Sequence, residues 1–123
     1  MYMTISILIC DDSNMARKQL QKALPQGWAD NTQLVKNGQQ ALDVLRTEKI
    51  DLLFLDLTMP VLDGFSVLEI MQAEALNIKT IVISADIQSK AKKRVEAAGA
   101  LEFIRKPVSA DTLIEILNKH HLL

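Results

Sequence analysis

Short apolar runs alternate with segments of helical period along the chain, and this alternation limits the possible folds more than any other property of the sequence. Ile5 to Cys10, Gln33 to Val35, Leu52 to Leu55, Thr80 to Ile83 and Phe103 to Arg105 are rich in Ile, Leu, Val and Phe and read as strands. Between them apolar residues recur at helical spacing: Ala16, Leu20, Ala23 and Leu24, then Ala41, Leu42 and Leu45, then Leu68, Met71 and Ala75. Ile87, Ala91, Val95 and Ala98 form a fourth stripe, and Leu113, Ile116 and Leu117 a fifth. Strands with no polar face need cover on both sides, and strand-helix-strand units supply it through right-handed crossovers. The predicted fold is therefore α/β, a five-stranded parallel sheet, doubly wound in the (βα)5 manner. Helix punctuation agrees: Pro25 and Gly27 follow the first helix, Gly99 follows the fourth, and Ser109 stands at the N-cap position of the fifth.

The chain of 123 residues fits one domain, residues 1–123, able to remove roughly two-thirds of its unfolded surface from water. Its end soon after the last helix suits either a natural terminus or a domain excised from a longer protein with an output domain. A net charge of -1 gives no global field for nucleic acid or an anionic membrane, and no basic arm or recognition-helix module accompanies the domain. The apolar runs are far shorter than the ~18 residues of a membrane-spanning helix. A single cysteine, Cys10, excludes an internal disulfide, and its place at the end of a strand suits inert packing in a reducing cytoplasm.

The strand ends carry the chemistry. Asp11 and Asp12 follow the first strand, Asp56 the third, Ser84 the fourth and Lys106 the fifth. In an open parallel sheet these carboxyl ends lie along one edge, where ligands bind. Three carboxylates sharing a pocket repel one another, raising and coupling their titrations, and a divalent cation relieves that repulsion. Oxygen donors of this kind favour Mg²⁺, with Mn²⁺ an alternative. Asp56 is the best placed nucleophile toward phosphorus, with Lys106 and the Ser84 hydroxyl available to the phosphoryl oxygens. Each residue also has a plain structural use: Asp-Asp-Ser can start a helix, Asp63 and Asp86 can cap turns, and Lys106 can be a surface cation.

Taken together, Asp11-Asp12, the run Asp56-Leu57-Thr58-Met59-Pro60 with Asp63-Gly64, Ser84-Ala85 and Lys106-Pro107 resemble the receiver domain of bacterial two-component response regulators, in the CheY-like group. The resemblance spans essentially the whole chain and implies the flavodoxin-like receiver fold. It implies that Asp56 accepts a phosphoryl group from a sensor histidine kinase or phosphotransfer protein. Asp12 and Asp56 would then bind Mg²⁺ directly, Asp11 through water, and the Thr58 main-chain carbonyl would add a ligand. Ser84 matches the switch hydroxyl, Phe103 the switch aromatic, and Lys106-Pro107 a lysine with a usually cis-linked proline. Thr58 and Asp86 fall where the family tunes dephosphorylation.

The implied output is a partner-binding face of helix four, strand five and helix five, addressed to a downstream target or output domain, with phosphorylation-dependent dimerisation open. Lys90, Lys93 and Arg94 on helix four are either a solvated face or part of that surface. Such a domain is not a metabolic enzyme and catalyses only its own phosphorylation and dephosphorylation. Alternatives are a phosphorylation-independent scaffold, or an aspartate-nucleophile phosphohydrolase, for which Thr58 stands where a second acid is usual. A flavin or nucleotide site is disfavoured because the four glycines are scattered.

Overall fold

The computed structural model describes residues 5–85 and 88–123. Its elements run β1 (Ser6–Cys10), α1 (Asn14–Ala23), β2 (Asn31–Val35), α2 (Gly38–Thr47), β3 (Leu52–Leu55), α3 (Gly64–Ala73), β4 (Lys79–Ser84), α4 (Ser89–Ala97), β5 (Glu102–Arg105) and α5 (Ala110–Lys119). All strand pairs are parallel, in the order β2-β1-β3-β4-β5. Chain direction along the sheet reverses beside β1 and β3, the topological switch point at which such folds bind ligands.

Alternate residues of β1, β3, β4 and β5 feed two separate cores. Leu8, Cys10, Leu53, Leu55 and Val82 pack with α2, α3 and α4 through residues such as Leu42, Leu68 and Val95. Ile7, Ile9, Phe54, Ile83 and Ile104 pack with α1 and α5 through Leu20, Leu113 and Leu117. Each such Leu or Ile taken fully out of water contributes roughly 1.5–3 kcal/mol.

Helix starts follow local chemistry. Ser13, Asn37, Asp63 and Ser109 cap α1, α2, α3 and α5, each accepting a hydrogen bond from the main-chain N–H three residues on. The third apolar stripe predicts a helix that continues past the end of α3. Ala75 lies beyond α3, exposed, at φ 55°, the left-handed position that ends a helix. Trp28 anchors the loop after α1, its indole N–H donating to the Leu122 carbonyl at 2.6 Å. At the far end of the sheet Glu102 accepts from Lys119 at 2.7 Å and pairs with His120 at 2.9 Å.

The loop between β3 and α3 is held tightly. The Gly64 N–H donates to the Leu57 carbonyl at 3.0 Å, and the Gly38 N–H to that of Leu62 at 3.2 Å. A Cβ at Gly64 would stand 2.2 Å from the Asp56 carbonyl oxygen and 2.8 Å from Leu57 Cα, both main-chain atoms without freedom to retreat. Val61 in the same loop takes φ 69°, a conformation that costs a residue other than glycine of order 1–3 kcal/mol. Gly64→Ala should therefore destabilise the fold by about 1–3 kcal/mol in urea titration, and an unchanged midpoint would refute the close packing of α3 on the loop.

Candidate functional site

Main-chain hydrogen bonds continue one step past three strand ends and fix the residues that matter. Asp11 N–H donates to the Val35 carbonyl at 3.2 Å, Asp56 N–H to that of Cys10 at 3.0 Å, and Lys106 N–H to that of Ser84 at 3.0 Å. Because Cys10 is opposite Leu55 in the β1–β3 register, Asp11 and Asp56 come next to one another on adjacent strands. Asp12 joins them, and one carboxylate oxygen from each of the three residues lies within 4.8 Å of the others. Asp11 and Asp56 are buried while Asp12 is exposed, so the cluster opens to solvent on one side.

Lys106 reaches into this group. Its Nζ lies 2.7 Å from Asp11 Oδ2 and 3.6 Å from Asp56 Oδ1, and the Lys106–Pro107 peptide bond is cis. Burial opposes the lysine's charge, yet its hydrogen bond to Asp11 and the nearby charges hold the ammonium above the ordinary lysine range. Asp56 behaves oppositely. Burial, then the charge of Asp11, push its carboxyl up to about 6 against the pull of Lys106 and of the Thr58 and Leu57 main-chain N–H groups. Beside the carboxylates lies a cavity of about 260 Å³, open to solvent, where Asp11, Asp56 and Lys106 meet the apolar Leu20, Phe54 and Val108.

Three hard oxygen donors with one solvent-facing member, straining against mutual repulsion, suit Mg²⁺ or a similar cation. Asp11 also serves the chain locally, its Oδ1 accepting from Ser13 N–H at 2.9 Å. Asp63 is a cap only, accepting from Ser66 N–H at 2.8 Å. Ser84 is buried at the end of β4 with the strand parity of Val82, facing the α2–α3–α4 layer, and half-buried Phe103 packs into that same core. Thr58 is exposed beside Asp56. Asp86 and Ile87 lie outside the described residues.

Cys10 is inert, as its place implied. The thiol contacts the Asn37 carbonyl and Met59 Sδ, both at 3.3 Å, and burial with the charges of Asp11 and Asp56 drives it up to about 12. Arg94 is committed within the fold: it bonds Glu69 of α3 at 2.7 Å and its guanidinium lies 4.3 Å from the Phe65 ring centroid. All three cations of the α4 group, Lys90, Lys93 and Arg94, are exposed. One residue at the site escaped the sequence reading. Arg17 is buried, with Nη1 donating to the Asp11 carbonyl at 2.6 Å. Its spacing of three from Leu20, on the inward stripe of α1, was the signal available.

Residues 7–118 match the response regulator receiver domain family. The chain is 35% identical over 114 residues to the chemotaxis protein CheY of Bacillus subtilis, covering 92% of this chain and 94% of that one. It is 34% identical over 117 residues to the transcriptional regulatory protein ZraR of Escherichia coli K12, spanning 94% of this chain but only 26% of that relative. Among solved structures, the CheX-CheY-BeF3-Mg²⁺ complex of Borrelia burgdorferi aligns with a TM-score of 0.88 at 27% identity, covering 95% of this chain and 89% of that one. No helix among the described residues is long and apolar enough to cross a membrane. With its sheet order, its acidic pocket of Asp11, Asp12 and Asp56, and these relatives, the chain belongs to the response regulator receiver domain family, CheY-like signalling modules of two-component systems rather than conventional enzymes.

Proposed function

We propose that Asp56 is the phosphoacceptor of this receiver, taking its phosphoryl group from the phosphohistidine of a sensor histidine kinase or phosphotransfer protein. The observation that carries the reading is Lys106 Nζ set 2.7 Å from Asp11 and 3.6 Å from Asp56 within the carboxylate cluster. An Asp56 carboxylate oxygen forms the new bond to phosphorus as the bond from phosphorus to the donor imidazole nitrogen breaks. Lys106 offers its ammonium to a phosphoryl oxygen, and the Ser84 hydroxyl a hydrogen bond to another. Mg²⁺ held by Asp11, Asp12 and Asp56, with the Thr58 carbonyl, supplies charge compensation when bound. The domain comprises residues 1–123 and works in the cytoplasm, alone or joined to an output domain.

Phosphorylation adds acceptors and charge that draw Ser84 toward the pocket and let Phe103 move, altering the face of α4, β5 and α5 that a downstream partner or a second copy reads. Shifting that equilibrium from 1:99 to 99:1 requires about 5.5 kcal/mol of preference for the active form. Lys90 and Lys93 are the cations of α4 to reverse in testing this surface, since changing Arg94 would also release α4 from α3.

The strained carboxylate ties function to stability. With its folded value near 6 against an ordinary 3.8, Asp56 retains its proton in the folded state through a pH range in which the unfolded chain loses it. Stability of the metal-free protein should therefore fall as pH rises from about 4 to 6, by roughly 2–3 kcal/mol from this group. Asp56→Asn should remove that slope and gain over the wild type as pH increases, read from urea midpoints in EDTA at pH 4.5 and 7.5. A parallel fall in both proteins would assign the slope elsewhere.

Intact-protein mass after incubation with acetyl phosphate and Mg²⁺ tests the assignment itself. One phosphoryl adduct is expected on the wild type, and none on Asp56→Asn or in EDTA. An adduct of equal yield on the variant would place the acceptor at another residue, and a folded protein that takes none on rapid quenching would favour the phosphorylation-independent scaffold.

A further inference from the structure

Arg17 is an unusual cation for its position. Only 7% of it is exposed, and its two hydrogen bonds go to neutral acceptors, the Asp11 carbonyl at 2.6 Å and Asn14 Oδ1 at 3.3 Å. No carboxylate lies within ion-pair distance of it among the described residues. A guanidinium withdrawn from water needs opposite charge nearby, and here the available charge is the acidic pocket, whose first member provides the carbonyl it grips. The Cys10 thiol, raised chiefly by burial, feels the negative charges of Asp11, Asp56 and Asp12 and the opposing positive charge of Arg17. Lys106, by contrast, reaches in on a half-solvated stem, 25% exposed, and can swing toward an arriving phosphoryl group.

We propose that Arg17 is a positioning residue that acts as the fixed counter-charge of the acidic pocket: it ties down the main chain at Asp11 and offsets the carboxylate cluster while no metal is bound. This rests on the reading of the cluster as a divalent-cation site. A side chain pinned beneath α1 cannot leave when a cation arrives, so its charge opposes the cation and keeps the metal exchangeable. Arg17 thereby sets the balance between a metal-free pocket that is tolerable and a loaded one that is tight.

The test is Mg²⁺ titration by calorimetry of the wild type, Arg17→Lys and Arg17→Met, with thermal midpoints measured with and without Mg²⁺. Arg17→Met leaves the Asp11 carbonyl without this donor in both conditions, so that loss cancels in the difference and the effect of charge remains. Arg17→Met should bind Mg²⁺ roughly three- to tenfold more tightly than the wild type, with a correspondingly larger Mg²⁺-induced rise in midpoint. Arg17→Lys, which keeps the charge, should stay close to the wild type. Should Arg17→Met fail to fold, Arg17→Gln, which keeps a donor without the charge, carries the same comparison. Equal Mg²⁺ affinity in all variants, with midpoints lowered equally in both conditions, reduces Arg17 to packing and overturns the proposal while leaving the metal site intact. No Mg²⁺ binding to the wild type overturns both readings.

Discussion

Two carboxylates are placed side by side by main-chain pairing, and much of the molecule is arranged around that fact. The β1–β3 register that sets Cys10 opposite Leu55 brings Asp11 and Asp56 onto neighbouring strands, about 4.8 Å apart at the spacing of a sheet. At an effective dielectric constant near 20, two unit charges at that distance repel by roughly 3–4 kcal/mol. The main-chain ladder does not let them separate. What remains is compensation: the Lys106 ammonium between them, Arg17 behind the turn, and a proton that Asp56 keeps up to about pH 6. A divalent cation among the three carboxylates would relieve the same repulsion more directly.

The surrounding fold makes that discomfort sustainable. Two apolar cores clamp the sheet, so the strands cannot splay to relieve the charges. Two glycines act in the same sense, since Gly64 lets α3 press onto the Asp56 carbonyl and Gly38 brings the start of α2 against Leu62. Removing a methylene group from the core or adding one at these glycines changes the geometry available to three charged groups some distance away.

The sequence made the parallel sheet legible because both signals it needs are local: apolar runs such as Leu52–Leu55 with no polar alternation, and caps such as Ser109. Convergence of Asp11, Asp12, Asp56 and Lys106 followed from topology, since each ends a strand. Limits arose where long-range geometry decides. Strand ends were drawn short at Asn31 and Thr32, whose polar side chains conceal an edge strand paired only with β1. Ala75 kept the helical period beyond α3 because alanine carries no sign that the backbone has turned left-handed there. Arg94 is the surface cation its spacing implies, while its partners Glu69 and Phe65, 25 and 29 positions earlier by chain number, carry no local signal. Arg17 was hidden by its own residue type, since arginine in an amphipathic helix is ordinarily counted on the wet face, and only its bond to the Asp11 carbonyl in the fold reverses that expectation.

The sheet separates the two halves of the site. Asp11, Asp56 and Lys106 continue the strand parity of Ile9, Phe54 and Ile104 toward α1 and α5, whereas Ser84 and Phe103 continue that of Val82 toward α3 and α4. The acidic pocket and Ser84 therefore face different hydrophobic cores, joined at the upper rim of the sheet where Lys106 N–H meets the Ser84 carbonyl. Substitutions in one core therefore reach the carboxylates from the side of α1 and α5, and those in the other reach Ser84 and Phe103 from the side of α3 and α4.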